Sequence, residues 1–239
     1  MPIVRLIAKL APSILLLGFN TAHAQTFTTL YSFNFPPDGG QPHSSLVLDS
    51  SGNLYGTTYE GGASNRGTVF KLDTSDQETV LYSFAGPPDD GANPLAGLVR
   101  DSAGNLYGTT AGFGGTVFKV NGAGAEEVLH IFLGSPSDGS TPEAPLLRDS
   151  AGNLYGTTFF GGIDDLGTVF QIDSTNQSTI LHSFRGGAKD GALPAGGFVQ
   201  DPAGNFYTTT FGGGLSDDGT AFGLLFQEGS RYCIFSLAA

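Results

Sequence analysis

The chain has a single cysteine, Cys233, and no tryptophan in 239 residues. One cysteine forms no intramolecular disulfide, so packing must hold the fold. It sits in the apolar run 232–237 and reads as a buried thiol rather than a nucleophile. Basic residues are scarce: 10 Lys and Arg stand against 22 Asp and Glu. Past residue 24 there is no amphipathic helical stretch, and no apolar run approaches the roughly 20 residues of a membrane span. These shortages exclude a disulfide scaffold, a helical bundle and a transmembrane helix in that region.

The first 24 residues differ from the rest. Arg5 and Lys9 form a positive start, 10–19 is apolar, and Ala22-His23-Ala24 is a small-x-small cleavage site. This is the pattern of a secretory signal peptide over residues 1–24. The expected location is secreted, extracellular or periplasmic. Without Arg5 and Lys9, eight bases face 22 acids, a net charge of −14. Those eight are spread singly along the sequence. Nucleic-acid binding needs clustered Lys and Arg against phosphate, so that partner class is excluded. An unknown extracellular ligand, glycan or protein remains as the expected partner.

What the chain has is a repeat. Asn-Leu-Tyr-Gly-Thr-Thr opens at Asn53, Asn105 and Asn153, with a worn copy, Asn-Phe-Tyr-Thr-Thr-Thr, at Asn205. Each copy runs through a Gly-rich loop to Gly-Thr-Val-Phe at 67–70, 115–118 and 167–170, or Gly-Thr-Ala-Phe at 219–222. An Asp-Gly-x-x-Pro loop precedes each copy at Asp38, Asp90, Asp138 and Asp190, always 15 positions before the Asn. The period is 52, 48 and 52 residues, and the one indel lies in the loop of the second unit. Periods of this length mark repeat architectures.

Each unit reads as four short strands. Strand a spans 45–49, with echoes at 98–99, 146–147 and 198–199; an Asp-x-x-Gly-Asn turn leads to strand b, Leu-Tyr-Gly-Thr-Thr. Strand c is Thr-Val-Phe-Lys-Leu, and strand d is typified by 79–84. β-Branched and aromatic residues fill these runs, and Gly, Asp and Asn bound them. Apolar neighbours such as Leu54-Tyr55 and Val69-Phe70 point to opposite faces of a strand, so both sheet faces must be covered. A propeller blade meets that demand. The expected fold is all-β: an array of four four-stranded antiparallel blades, as a closed four-bladed ring or a partial propeller. A single domain over 25–239 would hold units at about 34–84, 85–132, 133–184 and 185–237. A lone d-type strand over 26–33 precedes them and is a candidate to close a ring by pairing with the last blade.

These motifs resemble the GloVer tandem repeat of secreted bacterial proteins, a choice-of-anchor family whose members end in varied surface anchors. The resemblance covers about residues 31–235. It implies an exported, propeller-like protein with no established activity. Residues 231–239 depart from the pattern, with neither sorting tail nor apolar span, which leaves release or a truncated reading frame in place of anchoring.

Candidate chemistry is confined to the long b–c and d–a loops, which share one end of the blades. Asp38, Asp90, Asp138 and Asp190 read as a carboxylate ring for Ca²⁺ or, preferred here, as Asp-Gly turns repeated with the blade. His130 and His182 share a strand-d slot with Tyr31 and Tyr82, which makes them structural. His43 is the unshared histidine, and with Glu60 and Arg66 it belongs to the first unit. Asp164, Asp165, Asp217 and Asp218 add ligand-binding candidates in units three and four, without EF-hand spacing. Three functions follow: a noncatalytic binding or scaffolding propeller, favoured by the regularity of the array; an enzyme of lyase or lactonase type with a first-unit site; and a calcium-stabilised surface module. Tyr55, Tyr107, Tyr155 and Tyr207 read as inter-blade packing rather than a sugar platform.

Overall fold

The computed structural model describes residues 27–225 and the backbone of 226–227 and 230–236. The signal-peptide reading of residues 1–24 lies outside them. The described region is all-β apart from one 3₁₀ turn, Gly112–Gly114, in the shortened second-unit loop. Among the described residues no helix is long and apolar enough to cross a membrane.

Four antiparallel sheets follow one another along the chain. Blade 1 comprises Val47–Leu48, Leu54–Thr58, Thr68–Leu72 and Glu78–Ser83 as strands a to d, in that spatial order. Blade 2 comprises Val99–Arg100, Leu106–Thr110, Thr116–Val120 and Glu126–Ile131. Blade 3 comprises Leu147–Arg148, Leu154–Thr158, Thr168–Ile172 and Ser178–Ser183. Blade 4 comprises Val199–Gln200, Phe206–Gly213, Thr220–Gln227 and Ser230–Ser236. Strands b and c of the first three blades fall where the motif puts them. Strand a of blade 1 is two residues where five were expected, and in the other blades it is two residues, as expected, one position further along.

The expected strand over 26–33 does not form in its described part, and the fourth blade fills its outer position with its own strand d. The reason is pairing: among the described residues no strand c precedes residue 31 to take up the backbone hydrogen bonds a strand needs. Its side chains still behave as a strand d. Phe33 stands edge-on to Phe70 of blade 1, with ring centroids 4.9 Å apart. Phe84, Phe132 and Phe184 meet Phe118, Phe170 and Phe222 of the next blade in the same way, each at 5.0 Å.

Apolar faces are therefore buried between blades. Three core clusters each join consecutive blades: Val69 and Phe84 with Leu106 and Phe118, Val117 and Phe132 with Leu154 and Phe170, Val169 and Phe184 with Phe206 and Phe222. The paired apolar residues of the motif serve both sides, since Val69 and Phe70 are both fully buried. Thr58–Thr68, Thr110–Thr116, Thr158–Thr168 and Thr210–Thr220 bridge strands b and c through hydroxyl bonds of 2.7–2.9 Å. The array is β-propeller-like.

Candidate functional site

At one end of the blades the d–a and b–c loops are zipped together. Gly39–Gly40 pairs with Glu60–Gly61, Gly139–Ser140 with Phe160–Gly161, and Gly191–Pro194 with the far half of Phe206–Gly213. Gly61 has φ +91°, and a Cβ there would meet the Asp38 carbonyl and the Gly39 backbone, so the contact requires glycine. Asn65, Asp165 and Asp217 occupy one left-handed slot, and their side chains accept the N–H of Gly61, Gly161 and Gly213 at 2.7–2.9 Å. Asp165 and Asp217 thus hold their loops. Asp164 and Asp218 are exposed at the tips.

The recurrent aspartates form clasps between successive units. Tyr31 and Tyr82 donate hydroxyl bonds to Asp38 and Asp90. His130 and His182 place Nε2 at 3.0 and 3.1 Å from Asp138 and Asp190, where the ring N–H donates to the carboxylate. Amides of Asn34, Ala85, Leu133 and Arg185 donate to the same four carboxylates. Burial alone would raise the Asp138 carboxyl, but the bonds from His130, Leu133 and Gly139 outweigh it and hold it below the usual range. The hydrogen bond and burial push the Tyr31 phenol up to about 12. These carboxylates belong to separate clasps, and among the described residues no group of three or more His, Cys, Asp or Glu is placed to share a metal. The spacing that marks the clasp, eight residues from Tyr or His to Asp in three units and seven in the first, is present in the sequence.

The first-unit candidates take separate partners. His43 is exposed and packs edge-on against Tyr59 at 5.7 Å. Glu60 accepts from Gln41 Nε2 at 2.9 Å, and Arg66 lies 4.8 Å over the ring of Phe113 in unit two. On the same face, a crevice of 370 Å³ between blades 3 and 4 is lined by Leu166, Arg185, Leu193, Phe211 and Asp217. Arg185 and Phe211 were not distinguishable from other loop residues in the sequence.

The opposite end holds the a–b and c–d turns. Asp49 accepts the N–H of Ser51 and Asn53, the Asn53 amide and the Tyr55 hydroxyl, so its carboxyl lies well below the usual range. Asp101 and Asp201 repeat this set. The motif tyrosines are thereby fixed at the blade interfaces: Tyr155 stacks edge-on to Phe206 at 4.8 Å, and Arg100 and Arg148 lie over the rings of Tyr55 and Tyr107 at 5.7 and 5.6 Å. Beside these stacks lie two equivalent crevices, of 320 Å³ between blades 1 and 2 and 250 Å³ between blades 2 and 3.

One carboxyl in this region carries a pH dependence. Burial, then the charges of Asp90 and Glu127, push Glu126 up from the ordinary 4.5 to about 7, and its Oε1 is buried without a hydrogen-bond partner. A raised carboxyl favours the protonated fold, so its contribution is full below pH 4.5 and is lost as pH rises through 7. Glu126→Gln is expected to raise the melting temperature at pH 8 by about 2–4 °C and to leave it unchanged at pH 4.5. An equal shift at both pH values would remove titration as the cause.

Sequence comparison agrees with this repeat architecture. A search of curated proteins found no match. Among solved structures, the X-ray structure of a candidate gluconolactonase shares 15% identity, with a TM-score of 0.43, over 81% of this chain and 59% of that one. That likeness is too loose to carry fold or activity, and the fold stands on the four sheets themselves. The profile of the Gloeobacter/Verrucomicrobia repeat matches residues 19–228. The chain belongs to the Gloeobacter/Verrucomicrobia repeat family.

Proposed function

We propose that the protein is exported and works as a noncatalytic propeller that binds or scaffolds at or outside the cell surface. The observation that supports this most is the clasp. The polar residues that recur in every unit, Asp38, Asp90, Asp138 and Asp190 with their Tyr or His partners, are engaged in joining one unit to the next. General acid–base or nucleophilic chemistry needs such groups converging on one reacting atom. Here they are distributed along the array, and the first-unit candidates His43, Glu60 and Arg66 each contact a different neighbour. The crevice at Arg185, Phe211 and Asp217 offers apolar contact, a cation and an anion, as a small-ligand site requires.

The test is an assay of the purified chain, native and His43→Ala, against lactones and glycosides. Neither form is expected to turn them over. Turnover that falls in His43→Ala would make this a propeller enzyme with a first-unit site. Calcium is tested separately: EDTA is expected to move the melting temperature by less than about 1 °C, and a drop of about 5 °C or more would reassign the Asp carboxylates to metal.

A further inference from the structure

The two crevices at the turn end are built from equivalent residues and differ in charge. Between blades 2 and 3 the walls include Tyr107, Lys119, Glu127, Arg148, Asp173 and Asn176. Glu127 sits directly across from Lys119 on the paired strand. Its Oε2 meets Lys119 Nζ at 3.2 Å, and its Oε1 accepts from Asn176 Nδ2 at 3.2 Å. The protein thus places its own carboxylate against the lysine. The lining charges cancel.

Between blades 1 and 2 the corresponding walls are Tyr55, Lys71, Thr79, Arg100, Asn121 and Gly122. The cations remain. Thr79 stands across from Lys71, where the second crevice has Glu127, and Asn121 replaces Asp173. Two carboxylates have been exchanged for neutral side chains, which leaves a lining charge of +2 in a chain whose total charge is strongly negative. Arg100 Nε, like Arg148 Nε in the second crevice, is buried without a hydrogen-bond partner; what differs is the lysine, since among the described residues Lys71 makes no ion pair whereas Lys119 pairs with Glu127. Asp49 and Asp73 lie near these cations, yet both are turn residues: both oxygens of Asp49 accept from Ser51, Asn53 and Tyr55, and Asp73 Oδ1 accepts the N–H of Ser75 and Gln77. The remaining interface confirms how the slots vary: Gln171 and Gln200 stand where the lysine and arginine would be.

We propose that the crevice between blades 1 and 2 binds the carboxylate of a small organic or sugar acid between Lys71 and Arg100, in the place that Glu127 occupies in the neighbouring crevice. A guanidinium and an ammonium converging on one pocket are suited to a carboxylate, and a buried unpaired N–H gains most from an anionic acceptor. The second crevice is closed to such a ligand by its own glutamate. This site lies at the opposite end of the blades from the loop-face crevice and is independent of it.

Calorimetric titration of the full chain with D-glucuronate tests this, with glucose and inorganic phosphate as parallel probes. One glucuronate per chain is expected, with a Kd on the order of 1 mM, weakening as salt is raised. Lys71→Gln and Arg100→Gln introduce residues the protein itself uses in these slots, so both are expected to fold and to weaken binding at least about tenfold. Thr79→Glu supplies the missing carboxylate and is expected to abolish binding, whereas Lys119→Gln leaves it unchanged. Glu127→Thr combined with Asp173→Asn is expected to open the second crevice and raise the stoichiometry to two. The proposal is overturned if native protein does not bind glucuronate, if glucose binds equally well, if phosphate alone binds, or if Thr79→Glu binds as the native chain does while melting at the native temperature.

Discussion

Phe118→Ala is expected to cost about 3–5 kcal/mol in denaturant titration. Phe118 is fully buried, pairs edge-on with Phe84 of the preceding blade at 5.0 Å, and belongs to the cluster that joins blades 1 and 2. Truncation removes one of the largest side chains of that cluster. Rigid strands on both sides cannot collapse into the space, so the cavity adds to the lost transfer energy. In a repeat array each unit is stabilised mainly by its neighbours, so the loss falls on an interface rather than on a blade. The transition should then split, with blade 1 melting ahead of blades 3 and 4. A loss below about 1 kcal/mol would place Phe118 outside the core. Leu133→Ala, at a side chain 81% exposed, is the control and should stay within about 0.5 kcal/mol.

The second large effect is expected at the clasp. Asp138→Ala should cost about 3 kcal/mol, because three donors lose a buried ionised acceptor together: His130 Nε2, the Leu133 amide and the Gly139 amide. The sign with pH follows from the lowered carboxyl. Its stabilisation is present above the pKa of an unfolded aspartate and is lost as pH falls through the lower folded value. The gap between native and Asp138→Ala should therefore be widest near neutrality and shrink in acid. Asp138→Asn retains a carbonyl acceptor but not the charge, and should fall between them. A gap that stays constant from neutrality to pH 2 would mean that the carboxylate's charge does no work in the clasp.

Most of the fold was legible because its signals are local. Leu54–Thr58 and Thr68–Leu72 are bounded by glycines and turn residues within a few positions, and the four copies align them without ambiguity. The two-residue zips such as Gly39–Gly40 with Glu60–Gly61 were not legible, since glycine pairs carry no strand propensity and form here only through tertiary pairing. The clasp was half legible. The Tyr or His slot and the Asp slot were each visible, but their union depends on how strand d turns into the next loop. The crevice at Lys71 and Arg100 was hidden for a different reason. The two residues come from separate blades, and along the sequence they are scattered single bases. Only the packing of consecutive sheets makes them neighbours. The trace they left was variation: Lys71, Lys119 and Gln171 share one slot, and Thr79 and Glu127 another, in an otherwise uniform repeat.

In every unit the aromatic plug precedes the blade it seals: Phe33 before Phe70, Phe84 before Phe118, Phe132 before Phe170, Phe184 before Phe222. A polypeptide emerges from the ribosome with its N-terminal end first. The ring that each blade packs against is therefore delivered before the blade itself. Growth of the folded array can keep pace with delivery of the chain, one unit at a time.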